Sequence, residues 1–343
     1  MKAKVIAFFN HKGGVSKTTT TYNLGWALTL KQKKILLVDG DPQCNLTSLI
    51  LGDVFDDYYT DDKTKINNIK DAVKVAFEGK PKAIEAIDCY QSPKNDKLYL
   101  LPGHMDLSAY DPALSLALTS NNAITTLQNL PGSFFELIKL CSIKHNIDYI
   151  LVDMNPGLSA INQTLFMLSD AFIVPTNPDP FSLMAIKTLK TILPRWKLWA
   201  AQSKTYFENA SYPLPDTDMK FVGEVISRFN LRNKKAALSY QGRIDEIKSY
   251  VEREFIPELD KQHMVYDISS LIEKGMLSNH CLAEIPDFAS LSQKANDSDI
   301  PVIALKDSQL VYTGPVLIQM SEKRDSFIKI FDNMANIVLE LVK

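Results

Sequence analysis

The chain of 343 residues is long enough to bury a sizeable hydrophobic core and exceeds one average domain only modestly. Its 45% hydrophobic and 23% charged residues are ordinary for a globular protein, and no run of about 18 apolar residues is present to span a bilayer. A net charge of -2 excludes a global electrostatic attraction to nucleic acid or anionic lipid. We expect one elaborated domain over residues 1–343, with no membrane contact and a cytoplasmic location.

Short segments that are apolar on successive residues recur along the chain, with helical-looking stretches between them. Strands covered on both faces, as in parallel sheets, show this pattern. The predicted strands are 3–9, 34–38, 98–101, 149–152, 171–174, 221–226 and 281–285. The clearest predicted helices are 18–30, 159–168, 182–193 and an amphipathic closing helix at 325–343. This order predicts an α/β fold, a doubly wound, mostly parallel sheet of about seven to eight strands flanked by helices.

Two stretches are predicted to be additions to this pattern. Residues 54–96 are polar and include a run of aspartates and tyrosines, and residues 197–220 include two prolines. Both are expected to form loops or peripheral helices. The four cysteines lie far apart, at no spacing typical of a metal or redox site, so we expect isolated reduced thiols.

A glycine-containing loop follows the first predicted strand and precedes a predicted helix. Glycines let successive backbone N–H groups point at a phosphate, and the helix N-terminus adds partial positive charge. Lys17 is expected on the β- and γ-phosphate oxygens, and the Thr18 hydroxyl on Mg²⁺. Ser16 stands where such loops usually have a glycine, and a second lysine, Lys12, opens the loop. The loop therefore predicts a nucleotide site.

Three aspartates come at the ends of later predicted strands. Asp39 and Asp41 follow the second strand, and Asp153 follows the fourth. Ligands of open α/β sheets bind beyond the carboxyl ends of the strands, so we expect these carboxylates near Mg²⁺ and the γ-phosphate. Asp41 is assigned to orient the attacking water, and Asp39 and Asp153 to hold water ligands of Mg²⁺. The prediction is an Mg²⁺-dependent ATPase.

Three segments together resemble the deviant Walker A family of partition ATPases, the ParA/Soj type, which is related to the division-site positioning ATPases. They are Lys-Gly-Gly-Val-Ser-Lys-Thr-Thr at 12–19, Val-Asp-Gly-Asp-Pro-Gln at 38–43 and Tyr-Ile-Leu-Val-Asp-Met-Asn-Pro at 149–156. The resemblance implies a P-loop NTPase fold. The residues that it implies for phosphate binding are Lys12, Gly13, Gly14, Val15, Ser16, Lys17, Thr18 and Thr19. The adenine contacts that it implies are Arg228, Asn230, Pro286 and Phe288.

The resemblance also implies a dimer that is switched by ATP. Members of this family close a sandwich dimer around ATP, and Lys12 of one subunit would reach the phosphates held by the other. They hydrolyse ATP slowly, bind DNA nonspecifically as ATP dimers, and are released when a partner protein, usually encoded nearby, stimulates hydrolysis. Lys12, Lys17 and Asp41 would then be the catalytic residues. The implied role is plasmid partition or chromosome segregation, with a nucleoid-associated location if DNA is bound.

The chain departs from the family pattern after its last predicted strand. Asp287 and Ser290 stand where many members have cations, which leaves DNA binding open. A basic run is typical either of a solvated face or of contact with a phosphate backbone. The remaining basic candidates are Lys187, Lys190, Arg195, Lys197, Arg228, Arg232, Lys234, Lys235 and Arg243.

The residues leave two other functions open. One is an ATPase subunit of a multiprotein assembly that does not bind DNA, in which residues 54–96 and 197–220 dock a partner. The other is a metabolic P-loop ligase, which needs a small-molecule pocket and has no evident use for Lys12. A reductase of the nitrogenase iron protein type would need paired cluster cysteines, which the sequence lacks at a suitable place.

Overall fold

The computed structural model describes residues 3–120, 124–232 and 235–343. Its strands are β1 (Lys4–Phe8), β2 (Ile35–Gly40), β3 (Tyr90–Gln91), β4 (Leu98–Leu101), β5 (Tyr149–Met154), β6 (Ala171–Thr176), β7 (Lys220–Phe229), β8 (Leu231–Arg232), β9 (Lys235–Ala236) and β10 (Cys281–Pro286). Within these residues eight strands form one sheet in the order β10-β7-β6-β1-β5-β2-β4-β3. Neighbouring strands run parallel, except that β3 is antiparallel to β4. The remaining two, β8 and β9, form a separate antiparallel hairpin.

Helices connect these strands. They are α1 (Lys17–Leu30), α2 (Asn45–Leu51), α3 (Phe55–Thr60), α4 (Ile69–Phe77), α5 (Asp111–Thr119), α6 (Ser133–His145), α7 (Ala160–Met167), α8 (Pro180–Ser203), α9 (Leu238–Tyr250), α10 (Ile256–Asp260), α11 (Ser269–Glu273), α12 (Ser290–Asn296), α13 (Asp307–Leu310) and α14 (Gly314–Leu341). A π-helical segment, Val251–Phe255, joins α9 to α10. Among the described residues, no helix combines the length and the apolar content that crossing a membrane requires.

The predicted fold class is confirmed, because the sheet is mostly parallel and has helices on both faces. All seven predicted apolar segments are strands. The sequence missed β3, β8 and β9, which have two residues each and are too short to show a periodic pattern. It also placed the start of α14 too late, because the first turns of this helix bury few side chains and carry no clear amphipathic signal.

The strands are covered on both faces by separate hydrophobic layers. In β1, Val5 and Ala7 face one layer, and Ile6 and Phe8 face the other. The first layer includes Phe134 of α6 together with buried residues of α7, α8 and α9. The second is formed chiefly by α1 and α14. This two-sided burial explains why the strands are apolar on successive residues.

The two predicted additions both contribute buried residues. Ile69 and Val73 of α4 are fully buried in the first layer. Residues 197–220 begin as the end of α8, and their Phe207 forms a small cluster of its own with neighbouring apolar residues. The division of the chain into one domain with two additions stays a prediction.

All four cysteines have free thiols, but the expectation that they are isolated is wrong for one pair, which meets in space. Cys89 and Cys141 are both buried in the first layer, and the interaction between their side chains is the largest cause of the raised pKa of Cys89. They lie on different elements, so their proximity depends on the packing of α6 beside the segment that leads to β3. Sequence spacing carries no signal of such a contact.

Candidate nucleotide site

The phosphate loop connects β1 to α1 and is tied to the neighbouring strand β6. Asn10 Oδ1 accepts a hydrogen bond from Lys12 N at 3.0 Å, and Asn10 Nδ2 donates to Pro175 O at 2.8 Å. Gly14 and Ser16 adopt left-handed backbone conformations, with φ of 72° and 61°. This conformation costs a serine about 1–2 kcal/mol. The loop therefore forms with Ser16 in place of the usual glycine, at the expense of local strain.

Lys17 is the first residue of α1, and its side chain folds back over the loop. Its Nζ donates hydrogen bonds to the carbonyl oxygens of Asn10 and Lys12, both at 3.0 Å. Burial lowers the pKa of Lys17, although the carboxylates of Asp153 and Asp41 oppose this. A cation withdrawn from water in this way is stabilised by a nearby anion, which a bound phosphate supplies.

A cavity of about 700 Å³ opens at the loop. Residues 13–19 line it together with Asp41, Arg228, Pro286 and Phe288. Its volume lies within the range of small-molecule and cofactor sites. The structure thus brings seven of the eight predicted phosphate-binding residues, all except Lys12, and three of the four predicted adenine contacts to one cavity, although they come from distant parts of the chain.

Two predicted site residues, Asn230 and Lys12, lie outside the cavity lining. Asn230 is exposed after β7, and its carbonyl oxygen accepts a hydrogen bond from Ala237 N at 3.0 Å, which closes the β8–β9 hairpin. Lys12 turns toward the start of α8, where its Nζ forms an ion pair with Asp179 and donates to Ser182 Oγ at 3.1 Å. The structure therefore does not bring Asn230 to the cavity as an adenine contact, and Lys12 does not reach the phosphate site of its own chain.

Asp39 is buried at the end of β2, and both its oxygens are used within the chain. Oδ2 accepts from Thr47 N at 2.8 Å and from the Thr47 hydroxyl at 2.7 Å, and Oδ1 accepts from Asp41 N at 3.1 Å. Burial raises the pKa of Asp39 to about 6, and the bonds from Thr47 oppose this rise. Asp39 thereby joins the start of α2 to the turn that carries Asp41. Its predicted contact with Mg²⁺ waters stays a prediction.

Asp153 is the register partner of Asp39 in the adjacent strand β5. Its two carboxylate oxygens are buried and have no hydrogen-bond partner among the described residues. Burial, together with the Asp39 carboxylate, raises the pKa of Asp153 to about 8, although Thr18 and Lys17 oppose the rise. A buried carboxylate without a partner is costly, so this position calls for a cation or an ordered water.

These residues fit an Mg²⁺ ion that is held mainly by phosphate and water. Within 3–120, 124–232 and 235–343, no group of three or more His, Cys, Asp or Glu side chains is arranged to hold a metal. Mg²⁺ at nucleotide sites keeps several water ligands and takes few from the protein. The Thr18 hydroxyl at the cavity and the unpaired carboxylate of Asp153 beneath it supply the oxygens that such an ion uses.

Asp41 lies where two cavities meet. It is almost buried, and its Oδ1 accepts a hydrogen bond from Gln43 N at 2.9 Å. It lines the cavity at the phosphate loop and also a neighbouring one of about 590 Å³ whose lining includes Asp111 and Asn155. No hydrogen bond to its Oδ2 occurs within the described part of the chain. Its role in orienting the attacking water stays a prediction.

Comparison with known proteins identifies the family of the chain that carries this site. The family model described as an AAA domain matches residues 3–201, more than half of the chain. The chain belongs to the ParA-type P-loop ATPases. An uncharacterized protein of Methanocaldococcus jannaschii is 34% identical to this ParA-type chain over 185 residues, which cover 54% of this chain and 63% of that protein.

Two further relatives carry informative names. The sporulation initiation inhibitor protein Soj of Bacillus subtilis is 27% identical over 186 residues, which cover 54% of this chain and 63% of Soj. The chain thus spans less than two thirds of the length of the relatives that it matches in sequence. The structure of the ATP complex of Cyanothece McdA has a TM-score of 0.59 at 16% identity and covers 100% of this chain and 98% of that one. At this identity the likeness concerns the fold alone.

Two residues hold the phosphate loop of this ParA-type protein by contacts that sequence reasoning did not predict. Asn177 Nδ2 donates to Gly14 O at 3.0 Å, and the Ser227 hydroxyl lies 3.5 Å from Val15 O. Arg228 Nη1 also donates to Gly14 O at 3.0 Å, so it supports the loop as well as lining the cavity. Asn177 follows β6, and the rule that selected the strand-terminal aspartates would have found it too.

The predicted DNA-binding residues are largely engaged within the chain. Lys190 pairs with Glu254 at 3.1 Å, and Lys197 donates to the carbonyl oxygens of Thr217 and Asp218, both at 2.9 Å. Glu254 offsets the positive charge that Lys190 presents to a DNA backbone, whereas the carbonyl contacts of Lys197 hold its ammonium group against its own chain. Among the other candidates, Lys187 lies over the Tyr250 ring at 5.5 Å and Arg243 pairs with Glu246 at 2.6 Å. Lys234 and the side chains of Arg232 and Lys235 lie outside the described residues.

Proposed function

We propose that this protein is an Mg²⁺-dependent ATPase that acts as a dimerisation switch. The observation that carries the proposal is the single cavity that joins the phosphate loop to Asp41 and to the ends of β7 and β10. A nucleotide bound there would place its phosphates on the backbone N–H groups of residues 13–19 and its base toward Pro286 and Phe288. In this state the protein would form a homodimer and hydrolyse ATP slowly to ADP and phosphate.

Each residue of the site has one task in this proposal. Lys17 leaves the two loop carbonyls and binds the β- and γ-phosphate oxygens. Thr18 and Asp153 would hold Mg²⁺, which supplies positive charge for the phosphates when bound. Asp41 accepts a hydrogen bond from the attacking water and orients it. Because the side chains of Lys17, Asp41 and Asp153 are buried, their charges act with little screening by solvent.

The dimer is proposed from the orientation of Lys12. Its ammonium group points away from the phosphate site of its own chain and is bound to Asp179 and Ser182 at the start of α8. Once released from Asp179, Lys12 would be available to the phosphates of a second subunit. A partner protein, encoded nearby, would stimulate hydrolysis and reset the switch, so that the protein positions or segregates plasmid, chromosomal DNA or other cargo in the cytoplasm.

Two variants test the ATPase and the switch. Lys17→Ala is expected to abolish nucleotide binding, because the main cation of the phosphate site is lost. Asp41→Ala is expected to bind ATP and dimerise without turnover, since it removes only the group that orients the water. Lys74→Ala, a surface lysine paired with Glu78, is the matched control. Nucleotide binding, light scattering and phosphate release are measured for each, and rapid hydrolysis by Asp41→Ala would refute the assignment.

The second candidate function is an ATP dimer that works in a multiprotein assembly without binding DNA. It is favoured by the intramolecular contacts of Lys190 and Lys197 and by Asp287 in a position where many members have a cation. A DNA shift assay across salt concentrations, run with and without ATP, separates the two functions. Salt-sensitive binding only with ATP supports partition, whereas an ATP dimer with no such binding supports the assembly.

A further inference from the structure

The cavity extends from the phosphate loop to the edge of the sheet. The loop follows β1, and the opposite end is formed by the turn after β10, which lies three strand positions away. Neighbouring strands are about 4.8 Å apart, so the two ends are separated by about 14 Å. This distance matches the span from the phosphates of a nucleotide to its base. A nucleotide with its phosphates on the loop would therefore extend its base to the turn after β10.

The wall at this end is mostly apolar and packs against α14. Phe288 packs against Phe327 of α14, with ring centroids 4.4 Å apart, and Ile285 and Pro286 come from the end of β10. A purine ring buries apolar surface well against such a wall. The one acidic side chain among the described residues of this wall is Asp287, and apolar packing against a purine gives it no role.

Asp287 is held firmly and still has an unused acceptor. Its backbone N–H donates to Phe229 O at 3.0 Å, and its Oδ1 accepts from Ala289 N at 2.6 Å. Its Oδ2 has no hydrogen-bond partner in the described part of the chain, and Asp287 forms no ion pair there. Lys323 of α14 lies nearby: burial lowers the pKa of this lysine, and the charge of Asp287 opposes that lowering. One fixed carboxylate oxygen at the cavity wall is thus left for a hydrogen-bond donor.

The two common purines differ at the group that such an oxygen would meet. Adenine carries an amino group at its 6-position, which donates a hydrogen bond, whereas guanine carries a carbonyl oxygen there, which a carboxylate repels. We propose that Asp287 accepts a hydrogen bond from the 6-amino group of adenine and thereby selects ATP over GTP. This inference rests on the proposed function, because it assigns the base of the nucleotide bound at that site.

The test compares three nucleotides on wild-type protein and on variants of Asp287. ATP, GTP and purine riboside triphosphate, which lacks the 6-amino group, are titrated calorimetrically with Mg²⁺. A hydrogen bond to a charged group contributes enough for wild type to bind ATP at least about tenfold more tightly than purine riboside triphosphate. Asp287→Ala is expected to lose this difference by weakening ATP only.

Asp287→Asn sharpens the test, because an amide retains an acceptor for Ala289 N and gains a donor for the guanine oxygen. Its preference should move from ATP toward GTP, while Asp297→Asn, a change in the turn after α12 outside the cavity lining, should leave all three affinities unchanged. Melting curves verify that each variant is folded.

The outcomes separate this inference from the proposed function. Equal weakening of ATP and purine riboside triphosphate in Asp287→Ala would show that Asp287 serves only the turn at Ala289, and unchanged affinities would show that it does not contact the base. Either result overturns the inference, while nucleotide binding that still depends on Lys17 leaves the proposed function standing. Wild-type protein that binds no nucleotide, or binds as well after Lys17→Ala, would instead refute the proposed function.

Discussion

Glu224 provides a test of how burial controls the stability of this fold. It lies in β7 beside Cys281 of β10, is 1% exposed, and neither carboxylate oxygen has a hydrogen-bond partner among the described residues. Burial raises its pKa from the ordinary value of 4.5 to about 8. Lys248 opposes the rise, and Glu252 and Glu284 add to it. Glu224 is therefore neutral in the folded protein at neutral pH, but ionised in the unfolded chain.

The sign of the pH dependence follows from this difference. Between pH 4.5 and about 8 the folded state holds a proton at Glu224 that the unfolded state has lost, so the free energy of unfolding falls as pH rises through this window. The shift from 4.5 to about 8 corresponds to about 5 kcal/mol at 1.36 kcal/mol for each pH unit, as an order of magnitude. The loss is complete above the folded pKa.

Glu224→Gln keeps the shape of the side chain and removes its titration. The variant should match wild type within about 1 kcal/mol at about pH 5 and should be several kcal/mol more stable at about pH 9. Urea unfolding at a series of pH values measures this difference in the free energy of unfolding. The contributions of titratable groups that both proteins share cancel in the difference. Glu254→Gln, an exposed glutamate, should keep the wild-type slope. Parallel pH profiles for wild type and Glu224→Gln would refute the reasoning.

Two further predictions concern a close backbone contact and the Lys12 ion pair. A Cβ atom at Gly132 would lie 1.9 Å from Tyr212 O, so Gly132→Ala should lower the free energy of unfolding by about 1–3 kcal/mol or more, as measured by urea unfolding. Gly242→Ala is the control, because this helical position has open space and alanine should stabilise it by roughly 0.5–1 kcal/mol; equal effects would contradict the prediction. Asp179→Asn retains a cap for α8 but loses the ion pair with Lys12, worth about 1 kcal/mol in each subunit. Two such pairs are released in each dimer, so light scattering should detect the ATP dimer at roughly 30-fold lower protein concentration. An unchanged or weaker dimer would show that Asp179 does not restrain Lys12.

Several features were predictable because they depend on short stretches of sequence. The apolar runs identify the strands, and the change from strand to glycine loop to helix around Lys17 identifies the phosphate loop, since backbone geometry is controlled by neighbouring residues. The strand-terminal aspartates were also predictable, because parallel strands bring their carboxyl ends to one edge. The two-residue strands, and the start of α14 at Gly314, were not predictable, because they gave no periodic signal of their own.

The division of tasks among the site residues required the folded chain. Asp39 and Asp153 look alike in sequence, yet Thr47 donates two hydrogen bonds to Asp39. Neither carboxylate oxygen of Asp153 has a hydrogen-bond partner among the described residues. Asn230 was predicted to contact the adenine base and instead closes the β8–β9 hairpin. Asp287, which stands where many family members have a cation, lines the cavity. No local sequence pattern indicates which oxygen of a side chain already accepts a hydrogen bond in the folded protein.

By itself, the sequence determined the α/β sheet, the phosphate loop and the family, because each depends on local pattern and on the order of elements. The tertiary structure alone decided which groups meet: Lys12 with Asp179, Cys89 with Cys141, and Glu224 with a buried environment that keeps it neutral. The physical reason is that hydrogen bonding and desolvation depend on atoms from distant parts of the chain, and these contacts exist only after the helices have packed on both faces of the sheet.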